Sequence, residues 1–277
     1  MSQGDVLQDE GESRQPEVNS EPVAAILLIG NEILSGKIRD ENAYWLTQEL
    51  RKLGVRVVEI AVVPDEREAI GEALRRLAGS VDYLFTSGGV GPTHDDITLE
   101  SVADAFGVPL CEDPDLVALL QRFFQDRITD AHLRMARVPE GSTLIKIAEN
   151  PWPVYSFRNI YIFPGVPHIL QHKFKAIAER FRARPFSLER LYVDAEEGSI
   201  AAYLEEVERT YQVEIGSYPR TKRSARYRVM LTIEGRSAEQ VKAATGALID
   251  ALPAGALLSR GEAPSEQVPA ADLERKA

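Results

Sequence analysis

The chain has 277 residues, 44% of them hydrophobic, and a formal net charge of −11, which supports a packed core and one large domain with a smaller one. That charge argues against nucleic acid as a partner, since a phosphate backbone wants a basic footprint. The single cysteine, Cys111, excludes an intramolecular disulfide and a multi-cysteine zinc site, and no apolar run reaches the roughly 18 residues of a membrane span.

Residues 1–21 are acidic and polar and lack the apolar segment of a signal peptide. They read as a disordered tail on a cytoplasmic protein without a membrane partner. Val23 to Ile29 is a continuous apolar run, as expected of a strand buried on both faces. Asn42 to Leu53 places Leu46, Leu50 and Leu53 on one helical face, and Gly54 stops it. Val55 to Val63 is the next strand, and Pro64-Asp65 opens a helix around residues 69–77. Tyr83 to Thr86 runs straight into a glycine-rich turn, followed by a helix from Ile97 to Phe106. This alternation calls for a mostly parallel sheet covered by helices on both faces.

A helical stretch follows over residues 114–136, then a strand pair at 143–147 and 154–157 and a buried strand at 160–163. Pro164-Gly165 ends that strand and a helix begins near Pro167. Residues 22–186 thus read as one α/β domain. From residue 187 the pattern changes to strand 191–193, helix 199–210, strands 213–215 and 227–233, and helix 238–252. This is a small α+β domain over 187–256, with a second disordered tail expected over 257–277.

The chemistry concentrates in Thr86-Ser87-Gly88-Gly89-Val90-Gly91-Pro92-Thr93-His94-Asp95-Asp96. Glycine permits positive φ and close ligand approach, so the N–H groups of Gly88, Gly89 and Gly91 can converge on a phosphate, with hydroxyls from Thr86 and Ser87. Carboxylates beside a phosphate repel it unless a cation intervenes or they act on water, so Asp95 and Asp96 point to a divalent metal. The same residues also permit a tight turn with Asp95 or Asp96 capping the next helix. Glu32 reads either as a group orienting a hydroxyl or a metal-bound water, or as an exposed loop carboxylate. Asn42 reads as a ligand or as a helix cap. His168 and His172 have a metal-binding spacing on a helix but no evident third ligand, whereas His94 lies closer to the turn. Arg220, Lys222, Arg223, Arg226 and Arg228 form either a solvated loop or an arginine clamp on a nucleotide phosphate, with Arg226 the leading candidate.

Thr86 to Thr98 resembles the signature of the MoaB/Mog, or molybdopterin-binding, domain family. Its Gly-Pro-Thr-His-Asp-Asp-Ile-Thr form is similar to the CinA-like branch, shared by competence/damage-inducible protein A and the N-terminal domain of eukaryotic FAD synthase. Gly30 to Gly36 with Asp40 to Ala43, Phe163 to Pro167, and Gly216 to Pro219 resemble further segments of that branch, in the same order. The resemblance implies a three-layer α/β/α sandwich. It places the two aspartates of metal binding and catalysis on Asp65 and Asp96, with Asp95 a further metal candidate. It also implies cleavage of a nucleotide pyrophosphate of the ADP-ribose or FAD class, with Mg²⁺ or else Mn²⁺ or Co²⁺. The alternatives it leaves are molybdopterin binding or adenylylation, and a nucleotide-binding module without turnover. The ligand is a nucleotide or a pterin, and association into a homo-oligomer follows by analogy. The C-terminal deamidase domain of full-length CinA proteins and the FAD-forming domain of FAD synthase are not expected in the remaining length.

Overall fold

A computed structural model describes residues 21–148, 150–220 and 226–264. Lys222, Arg223 and most of both expected tails lie outside the described residues. The chain divides into two compact units, one up to Arg184 and one from Pro185.

The first unit opens with β1 (Val23–Ile29), α1 (Asn31–Leu34), α2 (Asn42–Lys52), β2 (Arg56–Val63), α3 (Arg67–Ala78), β3 (Tyr83–Ser87) and α4 (Thr98–Phe106). It continues with β4 (Leu110–Glu112), α5 (Pro114–Phe124), α6 (Asp130–Arg134), β5 (Arg137–Pro139), β6 (Thr143–Ile147), β7 (Asn150–Phe157), β8 (Ile160–Phe163) and α7 (Pro167–Ile177). Six strands form one sheet in the order β2-β1-β3-β8-β7-β6. The first four are parallel, and β7 and β6 add antiparallel pairs at one edge. Strands β1 and β3 are central and covered on both faces, which explains why they read as unbroken apolar runs. On one face Leu27 and Leu84 pack with Leu74 of α3 and Val102 of α4. On the other, Ile26 and Phe85 pack with Leu46 of α2 and Phe174 of α7. Each of these fully buried side chains contributes roughly 1.5–3 kcal/mol. The result is the expected α/β/α sandwich.

The long helical stretch expected over 114–136 is instead broken. Gln125 takes a left-handed φ of 47°, and Thr129 then caps α6 through the His132 N–H. Between these helices and their neighbours β4 and β5 pair as a small antiparallel sheet. Three residues per strand are too few for a periodic signal.

The second unit contains β9 (Ser187–Val193), α8 (Glu197–Tyr211), β10 (Glu214–Pro219), β11 (Val229–Gly235), α9 (Ala238–Ala251) and β12 (Leu257–Arg260). Its antiparallel sheet runs β10-β11-β9-β12. Ile200 of α8 and Leu248 of α9 share a core with Leu191, Val229 and Leu231, so both helices cover one face. The expected end of this domain at 256 is corrected by β12, which pairs with β9 and anchors Arg260 on Glu189 by two bonds of 2.8 and 3.0 Å. Two leucines after the Pro253-Ala254-Gly255-Ala256 turn carry too short a pattern to announce a strand. Among the described residues no helix is long and apolar enough to cross a membrane.

One charge sits inside the first unit. Lys173 of α7 is 6% exposed and donates to the Pro153 carbonyl at 2.6 Å. Burial lowers its pKa from 10.5 to about 8. Below pH 8 both folded and unfolded chains hold this proton, and the folded state bears the full cost of a desolvated ammonium, about 3 kcal/mol. Between pH 8 and 10.5 the unfolded chain binds more protons, so stability from this group rises with pH. Denaturant unfolding should therefore show wild type gaining stability relative to Lys173→Met across that window. A pH-independent difference would show that the ammonium is not desolvated.

Candidate functional site

The four parallel strands end on one edge of the sheet, and each delivers a segment there. Gly30 to Glu32 follows β1, Asp65 follows β2, the glycine turn follows β3, and Gly165 to Pro167 follows β8. Ligands of open parallel sheets bind outside these carboxyl ends, where the loops converge. Here they line a cleft of about 600 Å³, joined by residues 38–42 at the entry to α2 and by Met135.

The glycine turn is built tightly against its neighbours. Gly88 has a φ of 114°, and a Cβ there would collide with the Ile29 carbonyl oxygen. Gly89 has a φ of 65° and leaves no room for a side chain beside the Thr98 hydroxyl. Buried Thr98 ties the turn back through its N–H to the Gly89 carbonyl (3.0 Å) and its hydroxyl to the Gly88 carbonyl (2.9 Å). From the other side, the Arg134 guanidinium donates to the Pro92 carbonyl at 3.3 Å.

Two expected phosphate contacts are corrected. The Gly88 N–H donates to the Phe163 carbonyl at 3.1 Å, extending the sheet ladder, so it is spent. Thr86 is fully buried and absent from the cleft lining, because alternate strand residues face opposite ways and Ser87 takes the cleft side. Among the described residues, the N–H groups of Gly89, Val90 and Gly91 have no protein acceptor. These three are the donors the turn offers.

The carboxylates are brought to the same cleft with different commitments. Asp65 accepts the Asn31 N–H at 2.8 Å, which fixes the start of α1. Asp96 turns one oxygen onto the Thr93 N–H (2.8 Å) and the Thr93 hydroxyl, and lies over Gly91, where a Cβ would be 2.6 Å from that oxygen. The Asp95 carboxyl is held below the usual carboxylate range, first by the Thr93 side chain and then by its own backbone N–H. Neither aspartate caps α4, whose N-cap Ile97 has no side-chain bond, so that reading of the pair is set aside. Glu32 is half-buried, and its carboxylate lies against the Gly30 Cα. Among the described residues no three His, Cys, Asp or Glu side chains converge as a metal-ligand set.

Asn42 is not the helix cap. Asp40 performs that role, accepting from the Asn42 N–H at 2.9 Å and the Ala43 N–H at 3.2 Å. The Asn42 side chain is 5% exposed and donates through Nδ2 to Ser87 Oγ (2.9 Å) and to the Gly165 carbonyl (2.6 Å). It braces the entry of α2 against the ends of β3 and β8. The Ser87 hydroxyl, bound by Asn42 and reaching the Pro164 carbonyl at 3.4 Å, belongs to the same brace. Its expected role as a phosphate donor yields to this one.

Sequence reasoning overlooked Arg39 and Met135, and noted Asp40 and Glu41 only as part of a motif; all four line the cleft. Arg39 had one available signal, a cation next to the Asp40-Glu41-Asn42 motif of an acidic chain. Arg226 belongs to the second unit. His94 is exposed in the turn, 4.0 Å from Asp95, and His168 and His172 are exposed on α7.

Residues 25–183 match the family described as "Probable molybdopterin binding domain", and residues 185–260 match "FAD synthase, middle domain". A protein of Archaeoglobus fulgidus is 34% identical over 220 residues, covering 79% of this chain and 93% of that one. A "Probable FAD synthase" of Caenorhabditis elegans is 30% identical over 268 residues, covering 86% of this chain and 51% of its own length. The chain thus spans about half of that relative. The solved structure of a CinA protein of unknown function from Thermoplasma acidophilum is 31% identical with a TM-score of 0.54, covering 58% of this chain and 98% of that one.

The collision at Gly88 sets a test of the cleft's construction. Gly88→Ala should lose roughly 2–3 kcal/mol of stability, because both the left-handed backbone and the Ile29 carbonyl oppose a methyl group. Gly246→Ala, in the open interior of α9, should be neutral or stabilising by up to about 1 kcal/mol. Equal midpoints for the two variants in thermal melts would contradict the tight approach of β1 and β3.

Proposed function

This chain belongs to the molybdopterin-binding domain family, and from that premise we propose that its cleft hydrolyses the pyrophosphate bond of a nucleotide of the ADP-ribose or FAD class. The observation that carries the reading is the meeting, on one sheet edge, of uncommitted backbone donors with carboxylates that face them. The N–H groups of Gly89, Val90 and Gly91 suit phosphate oxygens. Asp95, Asp96, Asp65 and Glu32 line the same cleft and suit a hard cation or a reacting water.

A magnesium ion fits this set without a cage of three protein ligands. Magnesium is commonly held by one or two carboxylates, with substrate phosphates and water completing its shell. Asp95, held ionised beside the turn, is suited to that contact, with Glu32 or Asp65 as a second ligand. Mn²⁺ and Co²⁺ are the other candidates. When bound, the cation neutralises charge developing on the phosphoryl oxygens.

The chain's own residues do the remainder. Gly89 to Gly91 hold the phosphate that is attacked, so that its phosphorus faces the acidic wall. Asp96 keeps one oxygen on Thr93 and orients water with the other. Water forms the new P–O bond, the bridging P–O bond breaks, and the water proton passes to the Asp96 carboxylate. AMP and a second phosphate monoester leave.

A second reading has an observation of its own in the description of the matched family: the cleft binds molybdopterin, with or without adenylylation. Product identity separates the two. With Mg²⁺, Mn²⁺ or Co²⁺, wild type should release AMP from ADP-ribose or FAD, and Asp96→Ala should reduce turnover by about 100-fold or more. Asp95→Ala should shift the metal concentration required. Undiminished AMP release in Asp96→Ala would remove Asp96 from the chemistry; no AMP release by wild type with any of the three metals would sink the hydrolytic assignment, and ATP-dependent formation of adenylylated molybdopterin would replace it.

A further inference from the structure

The cleft has an electrostatic imbalance that the glycine turn alone does not resolve. Six carboxylates line it, from Glu32, Asp40, Glu41, Asp65, Asp95 and Asp96. Among the described residues, Arg39 is the sole cationic side chain in that lining. Arg134 and Arg137 line an adjoining hollow of about 30 Å³ that shares Gly89, Val90, Gly91, Asp96 and Met135 with the cleft, and Arg134 is tied there to the Pro92 carbonyl.

Arg39 is exposed, and among the described residues it makes no ion pair or hydrogen bond. This holds although Asp40 and Glu41 follow it directly. Asp40 is spent on the first N–H groups of α2, which removes the nearest competitor for the guanidinium. The segment carrying Arg39 is itself held to the site, because the Ile38 N–H donates to the Glu32 carbonyl at 3.1 Å. The charge therefore stands on an anchored wall of the cleft.

We propose that Arg39 is the anion-reading side chain of this cleft, engaging one phosphate of a nucleoside diphosphate moiety while the N–H groups of Gly89, Val90 and Gly91 engage the other. This inference rests on the nucleotide reading of the site. A guanidinium presents paired donors that match two oxygens of one phosphate, a directed contact that survives in a field of carboxylates. It makes the cleft selective for two adjacent phosphates over one. Arg39 acts as a positioning residue, since it binds the substrate's charge and takes no part in proton transfer.

The test is an affinity ladder of adenosine, AMP, ADP and ADP-ribose, titrated calorimetrically into the full chain with Mg²⁺. Wild type should gain about tenfold or more between AMP and ADP. Arg39→Ala should erase that gain and weaken ADP-ribose by on the order of 10- to 100-fold, leaving adenosine unchanged. Arg39→Lys should recover part of the affinity through charge without the fork. Increasing salt should weaken ADP binding by wild type more steeply than by Arg39→Ala. In turnover, KM should rise in Arg39→Ala while kcat stays within about threefold. Matching thermal melts check that the exposed substitution leaves the fold intact.

Equal ADP-ribose affinity in wild type and Arg39→Ala overturns the proposal, whether or not hydrolysis occurs. Loss of the ADP step in Arg39→Ala supports it, even if wild type releases no AMP and the hydrolytic reading fails. Failure of wild type to bind any member of the ladder overturns both.

Discussion

The cleft depends on the amide of one buried asparagine. Asn42 stands at the first turn of α2, and its Nδ2 reaches both Ser87, at the end of β3, and the Gly165 carbonyl, beyond β8. Those two acceptors fix which way the amide points, since reversing it would set its oxygen against the Gly165 carbonyl. One side chain thereby sets the position of a helix entry relative to two strand ends. Below it, Gly88 lets β3 continue past Ile29 with no side chain between them. The brace and the close approach together position the ends of β1, β3 and β8 and the entry to α2.

That construction explains how carboxylates and free backbone N–H donors occupy one small space. Several of the acidic groups are partly spent on backbone N–H groups: Asp40 on α2, Asp65 on Asn31, and Asp96 on Thr93. Such bonds hold each carboxylate in place while leaving oxygens to face the cleft. The turn's own donors run in the opposite sense. Because Gly88 is drawn into the ladder with Phe163, the next three N–H groups are left beyond the end of the strand, without partners among the described residues. A site with acceptors fixed by the backbone and donors freed from it is already arranged before a ligand arrives, which lowers the ordering cost of binding.

Much of the first unit was legible because its signals are long. The seven-residue apolar run of β1 and the helical spacing of Leu46 and Leu50 extend over enough residues to be read. The site was legible as a region, since Gly-Gly-x-Gly with Asp95 and Asp96 marks a turn that binds or turns tightly. Its atom-by-atom commitments were not. Whether Gly88 offers its N–H depends on β8, which lies more than seventy residues later in the chain. Whether Asn42 caps or braces depends on Asp40 taking the cap first. Thr86 and Ser87 are chemically similar neighbours, and only the strand's alternation sends one into the core and the other to the cleft. β12 and the β4–β5 pair escaped for a simpler reason, because three or four residues cannot show a period of two.

The same logic separates the part of the site bound into the sheet from the part that stands free of it. Gly88 and Asn42 are bound into the sheet and its brace, so replacing either disturbs strands as well as ligand contacts. Residues 37–39 stand on an exposed connection tied at one point, the Ile38 N–H on the Glu32 carbonyl. A side chain there can change without moving β1, β3 or β8. Backbone donors recognise phosphate in general and carry little preference among its attachments. Selectivity is then set by side chains on the freer wall, where Arg39 is the cationic cleft-lining group among the described residues. The constrained elements thus fix the shape of the cleft, and the exposed entry to α2 is where its lining can change without disturbing the sheet.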